Sequence, residues 1–505
     1  MKENVNMSTA EQWAATQEKM KSETPIFEES LVSLLESYLN SGEIDKAKQM
    51  FVCRHAEAQK AYEQYSYELH EINNRNNKER TGQDDWETNK LPRNIQETTN
   101  IVGSFFMFGS GLKFYLKNSK KETEELQPVF DEMLEFMEEH YFNEQMYRAR
   151  QITGSETECA KEFVHCHKLD GDGTEIICRL RYNSRGDILY SLFDEYGRMV
   201  AFAIGYYMRD TKLNAEEHFD VYTAKKQWRF KKGNIDATKW TLVEKKDNPF
   251  GKIPIIYYHH KVDWHGAQKR IDHLEWVDSK SADTNEYFGD PYLLVTQDIV
   301  PDKPDSDAPL ADAREVGKVI EVDGPDSRFE YVAPPDSGDM VENEKKSMAE
   351  TIGQDTMTPD WSYKSIMGLG TLSAEAMRRM NTVGYVKRNN LAVSTYNELI
   401  NRELNLYKTI FIKYIFLNDV EKAKKVKRMK IGFMYSDPFQ DMDDNSTENA
   451  TLLGANGMSI RSAVEANRHV IDKDMEYERI FEEMKRKAEI EASVNSKETG
   501  KKEEE

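Results

Sequence analysis

Three groups of residues have types and spacing that could do chemistry. His259, His260, Asp263 and His265 place four potential ligands within seven positions, a density that would suit a zinc ion. Neutral histidines at a strand-to-helix junction fit the same spacing. Asp272, Glu275, Asp278, Asp283 and Glu286 follow at helical intervals. Paired carboxylates invite acid–base catalysis, but no activated partner accompanies them, and solvated helix faces carry the same pattern. His165-Cys166-His167 would put two imidazoles on one face of a strand with no third ligand in view. Asp170-Gly171-Asp172-Gly173 reads as a β-turn, because glycine stands where a calcium loop needs its next ligand. There is no GxxxxGK[ST], HExxH or GxSxG. No catalytic residue, metal or cofactor is assigned.

A fourth group has no nucleophile. Trp361, Ser362, Tyr363, Lys364, Ser365 and Met367 sit among Gly368 and Gly370, just before a very long helical pattern. Glycine-rich flanks permit motion. One lysine with hydroxyls and aromatic rings suits transient contact with phosphates or bases. Thr371 or Ser373 would cap the helix that follows, with Glu375 in its first turn.

The elements that position these groups read as α+β. Residues 27–72 are helical in pattern, 73–91 form a charged loop, and Pro92 opens a helix that Gly109 and Gly111 end. Residues 127–146 give an acidic amphipathic helix. After Glu158 the period changes to that of short antiparallel strands up to Tyr258, with turns at Arg185-Gly186 and Tyr196-Gly197. Residues 268–288 and 336–352 are two helices flanking a small insert. In the insert, 318–323 and 328–332 read as a hairpin. Residues 373–416 form one continuous helix of roughly 60 Å, with Gly384 as a candidate kink. A strand at 429–434, two or three helices over 450–492 and a disordered tail complete the chain.

Composition limits the function. With 69 basic and 90 acidic residues the net charge is 69 − 90 = −21, which argues against a simple nucleic-acid clamp but does not exclude a channel in which a polyanion must slide. Four cysteines are too few for a disulfide scaffold and suit a reducing cytosol. The most apolar run, 101–112, is too short for a membrane helix, and the expected protein is soluble and made inside a cell.

In combination, SFFMFGSGLKFYL, NPFGKIPIIYYHH, RIDHLEWVDSKSADTNEYFGDPYLLV, TPDWSYKSIMGLGTLSAEAMRRM and GANGMSIRSAVEANRHVIDKDMEYERIFEEM resemble, in that order, the portal proteins of tailed bacteriophages over residues 95–485. The resemblance implies a mainly helical portal fold. Residues 1–26 would be a flexible N-terminus. Residues 27–260 would be the wing, helical over 27–150 and β-rich over 158–258. Then would come a first stem helix (261–289), an α/β clip (290–335), a second stem helix (336–353) and a tunnel loop (354–372). The long spine helix and a wing return strand would occupy 373–435, a crown 436–492 and a disordered tail 493–505.

It further implies a non-enzymatic homo-oligomeric ring, usually of twelve subunits, at one capsid vertex of the virion, assembled in the host bacterial cytoplasm. Double-stranded DNA would pass along its axis. The large terminase subunit, the head–tail adaptor, and the major capsid and scaffolding proteins would be its partners, with no membrane. Residues 361–365 and Met367 would face the DNA, and Asp272, Glu275, Asp278, Glu344 and Lys345 would line the stem tunnel. Two readings stand beside it: a capsid-associated scaffold or adaptor that never touches DNA, and a metal-dependent hydrolase or nuclease using His259–His265.

Overall fold

The computed structural model describes residues 28–77, 87–168, 174–209, 215–232, 239–289, 293–296, 319–322, 338–359, 374–439, 464 and 473–502. Residues 360–372 of the expected tunnel loop, most of the expected clip and crown, residues 1–26 and the turn expected at 170–173 lie outside them.

The N-terminal helical pattern is divided. Helix α1 (Glu28–Ser41) stops at Gly42, whose φ of +78° suits glycine, and α2 (Ile44–Met50) leads into a short strand β1 (Val52–Cys53) before α3 (His55–Tyr65). The helical pattern is broken into segments because Leu31, Leu35, Leu39, Ile44 and Phe51 must all bury against one sheet face carrying Phe219, Val221, Trp228 and Phe230. Helix α4 (Ile95–Phe108) ends at Gly109 and Gly111 as expected, and β2 (Leu112–Leu116) follows. The helix expected over 127–146 is two helices, α5 (Lys120–Glu139) and α6 (Phe142–Glu156), which reverse at Tyr141 with φ +53°. The reversal lets Leu126, Phe130 and Met133 of one helix and Phe142, Met146 and Ala149 of the other enter the same core.

The β-rich region forms two antiparallel sheets. Strands β3 (Glu158–His167), β4 (Thr174–Arg181), β5 (Ile188–Phe193), β6 (Met199–Arg209), β7 (Ala215–Thr223), β8 (Lys226–Lys232), β9 (Thr241–Asp247) and β10 (Ile255–His259) are ordered β1-β5-β6-β7-β8-β9 in the larger sheet and β10-β3-β4 in the smaller. Gly186 and Gly197 hold the two expected turns at positive φ. Phe202, Ile204 and Tyr222 of the larger sheet pack on Ala160, Ile255 and Tyr257 of the smaller.

Helix α7 (Gln268–Gly289) and helix α8 (Gly338–Asp355) flank the insert, whose described strands are β11 (Leu293–Thr296) and β12 (Val319–Val322). These two strands pair in parallel. The 328–332 half of the expected hairpin lies outside the described residues.

The long helix is continuous from Ala374 to Ile415. Helix α9 (Ala374–Leu391) passes through a π turn at Ala392–Tyr396 into α10 (Asn397–Ile410), and a second π turn ends at Ile415. Its buried stripe, Tyr396, Ile400, Leu404, Tyr407 and Phe411, is the expected one, and each π turn rotates that stripe to follow the core. Gly384 is not a kink. A Cβ there would overlap the Phe106 ring, so the glycine lets α4 and α9 approach closely. Helix α11 (Val420–Arg428), capped by Asp419, then leads into β13 (Ile431–Tyr435), which pairs antiparallel with β2. Helix α12 (Lys473–Lys502) runs on through 493–502, the stretch expected to be a disordered tail. Among the described residues no helix is long and apolar enough to cross a membrane.

Candidate functional site: the stem and the junction behind it

Helices α7 and α8 pair antiparallel. Ile271 and Leu274 bury against Ile352 and Met348, while Arg270–Asp355, His273–Glu344 (3.2 Å) and Lys345–Asp278 (3.1 Å) bridge the flanks. The opposite face of α7 is covered by the segment 67–77 and 87–93, part of which reads in sequence as a free charged loop. Glu275 is only 2 % exposed. Its carboxylate accepts the Arg93 N–H (2.8 Å) and pairs with Nδ1 of His70 (2.7 Å). Leu91 N–H donates to Ser279 Oγ (2.9 Å), and Asn89 N–H (2.7 Å) and Arg75 (2.7 Å) converge on Asp283. Asn89 also reaches Glu286 at 2.8 Å. Burial alone would raise the Asp283 carboxyl, yet the donors from Asn89 and Arg75 hold it below its usual range.

This strap separates the five expected lining residues. Glu275, expected on a tunnel wall, faces inward under the strap, on the side of α7 that seats it. Asp278 is shared between Lys345 and Arg93. Asp272 is half-buried, bonded to Gln268 Nε2 (2.7 Å) and raised by desolvation. Glu344 is open to solvent and Lys345 partly so, both on the outer side of the pair. Trp361, Ser362, Tyr363, Lys364, Ser365 and Met367 lie outside the described residues.

Directly behind the α7–α8 pair lies a buried polar junction that composition and spacing do not reveal. Arg150 on α6 donates to Asp263 (2.8 Å), with side chains 0 % and 2 % exposed. Lys387 on α9 donates to Thr356 O (3.0 Å), just past the end of α8, and to Asp263 O (3.4 Å). Burial pulls the Lys387 ammonium down and Asp263 pulls it back. Desolvation works against the Asp263 carboxylate, and Arg150 and Lys387 outweigh it. Gly154 is required here, because any Cβ would meet Asn100, Arg150 and Asp263. Thus helix α6, the entry to α7, the exit from α8 and the long helix all meet at one carboxylate. Asp263 belonged to the suspected metal group, and only the fold reveals its partner.

The histidines of that group diverge. His260 Nε2 meets Tyr396 OH (3.1 Å) and its Nδ1 meets Lys261 O (2.7 Å); burial and the nearby Arg150 push it down to about 4, so it is neutral. His259 stacks on Tyr257, and His265 contacts Lys261 Nζ (3.1 Å). Among the described residues no three His, Cys, Asp or Glu side chains gather as metal ligands. His165 packs on Tyr414 and His167 is exposed at the strand end.

No curated protein matches the chain. The family described as phage portal protein, SPP1 Gp6-like, matches residues 51–489. That range takes in both sheets, the α7–α8 pair, the insert, the long helix and the whole strap. The chain therefore belongs to the phage portal proteins of the SPP1 Gp6-like family, which are structural, non-enzymatic head–tail connector proteins.

Proposed function

We propose that copies of this chain close head-to-tail into a ring of twelve at one vertex of a phage capsid. Double-stranded DNA is packaged through its channel by the terminase motor and later leaves through it into the tail. The observation that carries this reading is the family match over residues 51–489, which spans the succession of stem helix α7, strand-bearing insert, stem helix α8 and long helix. In this reading 27–260 is the wing, 290–335 the clip, 354–372 the tunnel loop and 436–492 the crown. The clip would meet the large terminase subunit and then the head–tail adaptor. The wing would meet the major capsid and scaffolding proteins. The particle would be built in the host bacterial cytoplasm.

Residues 361–365 and Met367 would touch the duplex, Lys364 through phosphates. Asp272, Asp278, Glu344 and Lys345 would line the stem. An acidic wall repels a polyanion and keeps it mobile, and a single loop lysine per subunit contacts it without locking register. The junction supports the role mechanically, since Lys387 ties the end of α8 to the long helix on either side of the loop.

Deleting residues 357–368 tests this. Rings with a central hole should still be visible by negative-stain microscopy, while capsids carrying the variant fail to fill with or retain DNA. Normal filling would refute the loop assignment. A chain that stays monomeric in every condition would refute the ring.

A further inference from the structure

A second charged surface lies alongside the long helix, where Tyr435 OH meets Asn397 (2.9 Å) and Lys408 Nζ reaches Met429 O, with Lys408 about 30 Å along the axis from the Lys387 contact with α8. Strands β2 and β13 form a two-stranded ribbon there. Leu112, Phe114 and Leu116 pack on the helical core, so Lys113, Tyr115 and Lys117 stand on the outer face. Opposite Tyr115 is Gly432, where a side chain would strike Tyr115 and Lys117. The Lys117 N–H donates to Lys430 O (2.6 Å), which sets those two lysines side by side. Helix α11 ends two residues before Lys430 and adds Lys424, Lys425 and Lys427.

The neighbouring cations are already matched: Lys422 pairs with Glu132 (2.5 Å) and Arg428 with Glu125 (3.1 Å). Among the described residues Lys113, Lys117, Lys424, Lys425, Lys427 and Lys430 make no ion pair. All are exposed except the half-buried Lys425. In a chain of net charge −21 this is a local inversion of sign.

We propose that this ribbon-and-helix face is a second docking site for duplex DNA, held through phosphates and separate from the axial passage. It rests on the portal reading only in taking duplex DNA as the cargo. Lysines supply point charges without the planar fork that reads base edges, so the contact carries no sequence preference. The lysines extend about 13 Å along the strand, facing a duplex that carries one charge per about 1.7 Å of axis. An acidic protein partner fits less well. A protein interface is built around an apolar centre, and the outer side of this ribbon offers only the half-buried Tyr115 and Met434.

The test uses the assembled full chain and a labelled, covalently closed circular duplex, which cannot thread a closed ring. Six phosphate contacts predict that wild-type affinity for the circle falls about 10³-fold between 50 and 200 mM NaCl. The triple variant Lys117→Gln/Lys427→Gln/Lys430→Gln should keep its melting temperature, bind the circle at least about tenfold more weakly at 50 mM, and show a salt slope reduced by roughly half. Wild-type protein that ignores the circle, or a triple variant that binds it with unchanged affinity and slope, overturns the proposal. Unchanged circle binding with lost incorporation into capsids would also overturn it and assign the face to an acidic protein. Circle binding that persists in rings unable to pass linear duplex would sink the conduit reading and leave this one standing.

Discussion

Replacing Asp263 by alanine should destabilise the protein more than any exposed carboxylate would. Asp263 is the only carboxylate contacting Arg150 and Lys387 among the described residues, and the Arg150 side chain is wholly buried. Nε and Nη1 of Arg150 already lack partners among the described residues, so losing Asp263 strips the bond made by Nη2 as well. Breaking one side of a buried pair costs about 3–5 kcal/mol. At about 1 °C per kcal/mol for a chain of this size, that lowers the melting temperature by roughly 3–5 °C. Replacing both charges, in Arg150→Met/Asp263→Leu, removes the stranded cation and should recover most of the loss.

Lys387 adds a pH signature. Its folded pKa lies below the ordinary lysine value, so the unfolded chain holds that proton more tightly and stability rises with pH up to about 10.5. Without Asp263 the ammonium is still less favoured, and the alanine variant should regain part of its loss between pH 8 and 10. Calorimetry of the three proteins across that range checks this. A fall below about 2 °C in Asp263→Ala, or a double variant as unstable as the single, would refute the claim that this carboxylate holds the junction together.

Two further predictions concern strand β3 and the contact between α4 and α9. Burial raises the Glu158 carboxyl to about 7, opposed by the Tyr257 hydroxyl at 2.6 Å. A raised carboxyl pKa favours the fold in acid and penalises it as pH climbs from about 4.5 through 7. Glu158→Gln keeps an acceptor for Tyr257 and should therefore stabilise at pH 8, by roughly 3 kcal/mol, with little gain at pH 4. Equal effects at both pH values would contradict the burial argument. At Gly384, alanine would drive a methyl into the Phe106 ring at a cost of about 1–3 kcal/mol, and Phe106→Leu in the same chain should relieve it. An unaffected Gly384→Ala melt would show that α4 and α9 have room to part.

Much of the architecture was legible because its signals are local. The switch from helical to alternating period near Glu158, the glycine turns at 186 and 197, the two helices around the insert and the long stripe from Tyr396 to Phe411 each depend on residues a few positions apart. Periodicity records which face is apolar, and burial follows from that. The family order was readable for the same reason, since it is a succession of such elements.

What periodicity cannot record is the partner a face will meet. Glu275 and Asp283 look like solvated positions in sequence, and only the strap some two hundred residues earlier in the chain turns them inward. The helices over 27–72 and 127–146 break where two segments must reach one core, a requirement set by sheets that form later in the chain. Gly384 has the sequence signature of a kink and serves as a gap for the Phe106 ring. Asp263 carries the composition of a metal site, but its role came from Arg150 and Lys387, 113 residues before it and 124 after it. Sequence alone determines the elements and their amphipathic faces. The pairing of charges across long separations is decided by the tertiary structure, because the electrostatic value of a buried group depends on what folding places beside it.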